Sequence, residues 1–235
     1  MFALFRLVKE LFKSKSLLWQ LAKSELSSKY RTHYLGGLWT FISPILQIAI
    51  YWFIFGIGIR GNSDVDGVPF LLWLICGLVP WLFIAPTLSM GTRSITSKLS
   101  LVSKLKFPIS VLPNVVVMTN TLPFFIMLVL TISILTGYGY APTIFYTQLI
   151  YYIIATIVLL IAITLLIATL SVIIRDIQTI MQTVVRFMFF MLPIVWVTDN
   201  LTKNFLFLLK LNPFYYLIDG YRMTLLGEGW FFSEP

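Results

Sequence analysis

Long apolar runs separated by short polar connectors dominate this chain. Five such runs cover about residues 38–59, 70–90, 107–136, 144–174 and 180–197. A helix needs roughly 20 apolar residues to cross a ~30 Å hydrocarbon core, so each run predicts a membrane span. The third and fourth exceed that length and are expected to tilt, kink or project into water. The pattern differs in residues 1–33. There Leu4, Leu7, Val8 and Leu11, then Leu18, Leu21 and Ala22, recur at helical spacing among lysines and arginines, with Trp19 as an interface anchor. That spacing predicts one or two amphipathic helices lying in the headgroup layer, against the plainer reading of a topology signal alone. Beyond the fifth run, residues 201–211 are apolar but too few to cross. They read as a re-entrant or interfacial helix, which places outer helices over 198–211. The expected fold is an all-α integral membrane bundle, with a cytoplasmic interfacial unit over 1–33 and a transmembrane domain over 34–235.

Composition agrees with that pattern. Hydrophobic residues make up 59% of the 235, aromatics 16% and charged residues 11%, with a mean hydropathy of +0.92. A soluble domain carries roughly 25% charged residues. The net charge is +8, and the positive residues sit beside apolar spans. They suit anionic lipid headgroups or an anionic lipid substrate better than nucleic acid. Their distribution also sets orientation. Arg6, Lys9, Lys13, Lys15, Lys23, Lys29 and Arg31 precede the first span, and Arg93, Lys98, Lys104 and Lys106 follow the second. Arg175 and Arg186 flank the fourth-to-fifth connection, which leaves only Arg60, Lys203, Lys210 and Arg222 for the opposite side. The N-terminus is therefore expected in the cytoplasm, with Asp64, Asp66 and residues 137–142 outside. The lone Cys76 excludes an intrachain disulfide and a Cys-x-x-Cys site. No cleavable signal is apparent, because the N-terminal unit over residues 1–33 is too long for an n-region.

Candidate chemistry is sparse. The phosphate-cradling Gly-x-x-x-x-Gly-Lys-[Ser/Thr] pattern is absent, so no nucleotide site is expected on this chain. His33 is the only histidine, which rules out a Ser-His-Asp arrangement within the chain. No carboxylate relay runs through the spans, and Arg186 is the one serious intramembrane charge. Asp64-Val65-Asp66 could hold a divalent metal on a sugar phosphate, as in membrane glycosyltransferases, although such a triplet is far more often a solvated acidic loop. Lys29, Arg31 and His33, set among Tyr30 and Tyr34, could bind a lipid diphosphate through charge-assisted hydrogen bonds. A snorkelling interface belt explains them equally well. Gln47, Asn114, Asn120 and Gln148 either line a path or stitch helices together. Pro44, Pro80, Pro86, Pro123 and Pro193 are expected to break helical ladders within the spans. The connector over residues 91–113, GTRSITSKLSLVSKLKFPISVLP, is basic, with Ile95, Leu99 and Val102 four and three apart. It offers a surface on which a cytoplasmic partner could push.

These features occur in an order that resembles one family. The N-terminal unit ends KSELSSKYRTHYLGGLWTFISPILQ, and the connector ends LVSKLKFPISVLP. Arg175-Asp176-Ile177, Leu192-Pro193-Ile194, Leu211-Asn212-Pro213 and Arg222 follow in turn. Over essentially its whole length the chain resembles the permease subunits of ABC-2 type (type V exporter-like) polysaccharide exporters, most closely the teichoic acid translocation permeases, with O-antigen permeases as near relatives. The resemblance implies a bacterial plasma-membrane homodimer paired with two copies of an ABC ATPase, with ATP and Mg on those partners. It implies transport of a polyprenyl-diphosphate-linked teichoic acid for cell-wall assembly, and no catalytic residue, metal or cofactor on this chain. An O-antigen or capsule exporter is the alternative, and a membrane glycosyltransferase or a scaffolding subunit ranks below it. On that reading Lys29, Arg31 and His33 are the candidate residues for the substrate headgroup, and Tyr30, Tyr34, Trp39 and Tyr51 are the candidate path aromatics, because ring faces pack against sugar C–H groups. Ile95, Lys98, Leu99, Val102, Lys104 and Lys106 fall in the ATPase coupling helix. The family has six spans, so the sixth is expected to be missing from these 235 residues.

Overall fold

The computed structural model describes residues 14–30, 34–59, 63–99, 108–197 and 202–230. Their regular structure is helical. α1 spans Lys15–Tyr30, and a short 3-10 turn, Gly36–Leu38, leads into α2, Trp39–Tyr51. α2 continues as a wider π-helical segment, Trp52–Ile59. α3 is Phe70–Arg93, followed by a 3-10 turn, Thr96–Lys98, and then α4, Val111–Gly137. α5 is Thr147–Ile173, entered through a 3-10 turn at Ile144–Tyr146. α6 is Ile177–Met191, α7 is Lys203–Lys210 and α8 is Pro213–Leu226.

Four helical stretches are long and apolar enough to cross a membrane: Gly36–Ile59, Phe70–Arg93, Val111–Gly137 and Ile144–Ile173. They coincide with the first four apolar runs, because a backbone in lipid must satisfy its own hydrogen bonds and the helix does so within one segment. The fifth run folds as the 15-residue α6. At ~1.5 Å per residue it is about 22 Å long, short of the hydrocarbon thickness. Helix geometry stops at Met191, so Pro193 lies beyond the helix and not inside a span as expected. Pro44 and Pro123 do sit within helices. The four spans differ in burial. The first has 6% of its most apolar window buried and the second 78%, which makes α3 the core helix and leaves the first span facing outward.

Residue contacts group the chain into two compact units. The first draws on residues 1–39, 84–123 and 157–185, and the second on 40–83, 124–156 and 186–235. α3, α4, α5 and α6 each contribute residues to both. The core of the first unit includes Leu88, Leu112, Leu160 and Ala168, all essentially inaccessible. Asn120 Nδ2 donates to Thr87 Oγ1 there at 3.2 Å, and Ser171 Oγ donates to the Thr92 carbonyl at 2.6 Å. Helices are tied by hydrogen bonds where apolar packing gains little over lipid. The core of the second unit is built on Phe70, Leu72, Leu78, Tyr152 and Tyr221. Gln148, one of the polar residues expected to line a path or stitch helices, donates there to the Gly229 carbonyl at 2.9 Å.

Local sequence explains two further features of the second unit. Val65 and Val68 exchange backbone hydrogen bonds at 2.9 and 2.8 Å around Asp66 and Gly67. Both central residues have positive φ, 51° and 79°, as a tight two-residue hairpin turn requires. The Asp-x-Asp triplet is thus part of a turn pinned by two buried valines, and among the described residues no group of three His, Cys, Asp or Glu forms that could hold a metal ion. α8 starts with Asn212, whose side chain accepts from Phe214 N at 3.0 Å, and with Pro213 at the first helical position. It ends on Gly227 at φ 74°. Asn212→Ala should lower stability by about 1 kcal/mol through loss of the cap. Thermal unfolding in detergent micelles measures it, and an unchanged melting temperature would show that the neighbouring contacts hold the helix start without the cap.

Candidate functional site

The stretch following α3 is the best-defined candidate site, and the first unit holds it from four sides. Ile95 is 5% exposed and packs against Leu112 of α4 and Ala168 of α5. Gly91 approaches α5 so closely that a Cβ there would stand 2.5 Å from Thr164 Cγ2. Gln178 Nε2, at the start of α6, donates to Thr96 Oγ1 at 2.9 Å. Lys98 forms an ion pair with Glu25 of α1. α1 is itself fixed: Ala22 is buried against Val111 and Val115, with Leu17, Leu18, Leu21 and Met118 around them. Part of the apolar stripe of α1 thus packs on the start of α4. The outward side of α1 carries Trp19, Gln20, Lys23 and Ser27.

Of the residues assigned to the coupling helix, Ile95 is turned into the protein, Lys98 is paired, and Leu99 stands half exposed. Val102, Lys104 and Lys106 lie outside the described residues, as do Arg31 and His33 of the headgroup set. Lys29 and Tyr30 form the last positions of α1. Tyr34 is fully exposed and Trp39 half-buried. Tyr51, in the second unit, packs its ring 4.9 Å from Phe189, which also neighbours Trp81 and Phe190. Among these candidates, the described structure thus puts Ile95 and Lys98 within one connected cluster and Tyr51 within an aromatic one.

Two residues take places in the fold that the sequence reading did not give them. Glu25 was passed over among the surrounding lysines. It falls four residues after Leu21 and three after Ala22, on the apolar stripe, which is an anomalous place for a solvated charge. Arg222 figures in the sequence reading only as one of four basic residues of the opposite side and as a member of the family series; it is 5% exposed. Its guanidinium lies 3.7 Å from the centre of the Trp73 ring, and Nη2 donates to the Pro193 carbonyl at 2.8 Å. Burial draws its pKa below the ordinary arginine value, with Asp219 foremost among the groups acting in the opposite sense. Its place four residues after Ile218 and three before Leu225, both buried, was the available signal.

The described residues thus make up an all-helical, multi-pass membrane protein with a clamped connector after the second span. The chain belongs to the ABC-2 type transporter family, whose pattern matches residues 16–226. It is 30% identical over 223 residues to the O-antigen export system permease protein RfbA of Myxococcus xanthus, an alignment covering 93% of this chain and 84% of that protein. It is also 28% identical over 207 residues to the O-antigen export system permease protein RfbA of Klebsiella pneumoniae, covering 88% and 78%.

Proposed function

We propose that this chain is the membrane half of an ATP-driven exporter that carries an O-antigen-like polysaccharide, linked to a polyprenyl diphosphate, across a bacterial plasma membrane. The observation that carries the reading is the connector over residues 94–98, gripped by α1, α4, α5 and the start of α6. A stretch held in this way can pass a push from an ABC ATPase into the spans. With no phosphate-cradling motif in the sequence, ATP and Mg belong on that partner, in two copies. Most of the 17 lysines and arginines fall in the segments of the first unit, which supports a cytoplasmic place for that unit and for the N-terminus. The outward-facing first span, with Gln47 exposed on it, suits a second copy of the chain across a polar path. Lys29, Arg31 and His33 are assigned to the diphosphate, and Tyr34 and Trp39 to the entering sugars.

Teichoic acid, the polymer expected from the sequence alone, would use the same lipid diphosphate. The names of the relatives favour the O-antigen alternative. The deciding experiment depletes the chain in cells and identifies the lipid-linked polymer that accumulates inside. An O-polysaccharide is expected, and a teichoic acid would reverse the assignment. In proteoliposomes with the ATPase, Lys29→Ala/Arg31→Ala should cut export by about a hundredfold or more, since hydrogen bonds to charged groups contribute ~1.5–3 kcal/mol each and ~1.4 kcal/mol is tenfold. Export matching wild type at equal protein would remove the headgroup role.

A further inference from the structure

Glu25 and Lys98 link two parts of the first unit, α1 and the connector. α1 rests on the foot of α4 through Ala22 against Val111 and Val115. The connector rests on α4 and α5 through Ile95 against Leu112 and Ala168. Without a further tie, α1 and the connector could each tilt on α4 separately. The carboxylate of Glu25 joins them. One oxygen pairs with Lys98 Nζ, and the other lies 3.5 Å from Thr119 Oγ1, one turn beyond Val115 on α4. The Thr119 hydrogen is better placed toward the Val115 carbonyl, at 2.8 Å. The Glu25 carboxylate therefore has Lys98 as its one charged partner among the described residues, and depends on it.

The two side chains are 30% and 27% exposed. A pair that open to water contributes little net stability. Its geometric effect is larger, because it fixes the register between an N-terminal helix and a connector 73 residues away. We propose that Glu25 and Lys98 form a latch that makes α1, the connector and the foot of α4 move as one body. Both are positioning residues, and Lys98 faces inward to Glu25 instead of outward to the ATPase. The latch rests on the coupling role proposed above for the connector. Displacement of the connector would carry α1 with it, and α1 ends in Lys29, assigned above to the diphosphate, and Tyr30, a candidate path aromatic. ATP-driven motion and the substrate-recruiting segment would then share one mechanical link.

The test uses the full permease with its ATPase in proteoliposomes, reading polymer transported per ATP hydrolysed. Glu25→Lys and Lys98→Glu should each lower that ratio by roughly fivefold, a typical size for coupled partners. The double charge swap, Glu25→Lys/Lys98→Glu, should return it to within about twofold of wild type. A merely structural defect would lower protein yield and melting temperature instead of this ratio. A swap as poor as Lys98→Glu alone would overturn the latch and give Lys98 a different partner. Cross-linking reads the contact independently of transport. Glu25→Cys/Lys98→Cys, in a Cys76→Ser background, should be joined within one chain by a short bifunctional thiol reagent. Failure to join overturns the geometry. Joining in a complex that shows no ATP-driven transport with any polymer would instead remove the exporter reading, and the latch's coupling role with it.

Discussion

Gly220→Ala is expected to be the most damaging small substitution in the chain. A Cβ at position 220 would overlap the ring of Tyr152 and stand 2.6 Å from its hydroxyl oxygen. That ring is 2% exposed and cannot step aside. Tyr151, Tyr216 and Tyr221 surround it with centroids 5.2, 5.7 and 5.9 Å away. Tyr221 is held in turn by Thr156, with 3.2 Å between the two hydroxyl oxygens. Glycine is needed here because α8 and α5 approach too closely for any side chain, not because of its backbone freedom. Overpacking of a filled core costs ~1–3 kcal/mol and sometimes more, so a loss of about 3 kcal/mol is expected. Thermal unfolding of the purified protein in detergent measures it. Tyr152→Leu should be harmful alone yet partly rescue Gly220→Ala, since the two sites share one volume. An alanine variant that melts with wild type would show that the tyrosine cluster yields readily.

The second large effect concerns Arg222. Arg222→Ala should destabilise the second unit by about 3 kcal/mol. An unpaired buried carbonyl costs ~1–3 kcal/mol, here that of Pro193. A desolvated cation over an indole contributes about 2 kcal/mol, here through Trp73. A cavity adds to both, while relief from burying a guanidinium offsets part of the sum. Arg222→Lys tests the shape of the site. A lysine keeps the charge, but its ammonium cannot both lie flat on Trp73 and reach Pro193. It should lose nearly as much as alanine. Gly77→Ala should resemble it, because a Cβ there would stand 2.5 Å from Arg222 Nη2. Together these variants separate the planar contact from charge alone. Full stability in Arg222→Lys would show that the charge suffices.

The second effect concerns how the chain ends its fifth apolar run. α6 stops at Met191, and the freed Pro193 carbonyl needs a donor. Arg222 supplies it from 29 residues further on. Reading Pro193 as a break within a span and Arg222 as one of the basic residues of the opposite side treated the two halves of one contact as separate features. The Asp-x-Asp triplet shows the opposite situation. Its turn was legible in principle from Asp66-Gly67, because positive φ at two successive positions is a local property that few residues tolerate.

The division between what sequence and tertiary structure decide has a single physical origin. The first four spans were visible as apolar runs because lipid forces each crossing segment to satisfy its own backbone and to reach a set length. The start and stop of α8 were written locally in Asn212-Pro213 and Gly227. Which face of each span meets protein was not legible. Lipid tails are as apolar as a protein core, so the usual stripe of buried against exposed residues is absent. Nothing in the run of hydropathy distinguishes the outward-facing first span from the buried second. Packing alone decided that Ile95 points inward, that Glu25 meets Lys98 and that Gly220 fits against Tyr152. The basic connector was evident in the sequence as a place to push. What it is fastened to depended on partners as far as 73 and 82 residues away, which only the folded chain brings together.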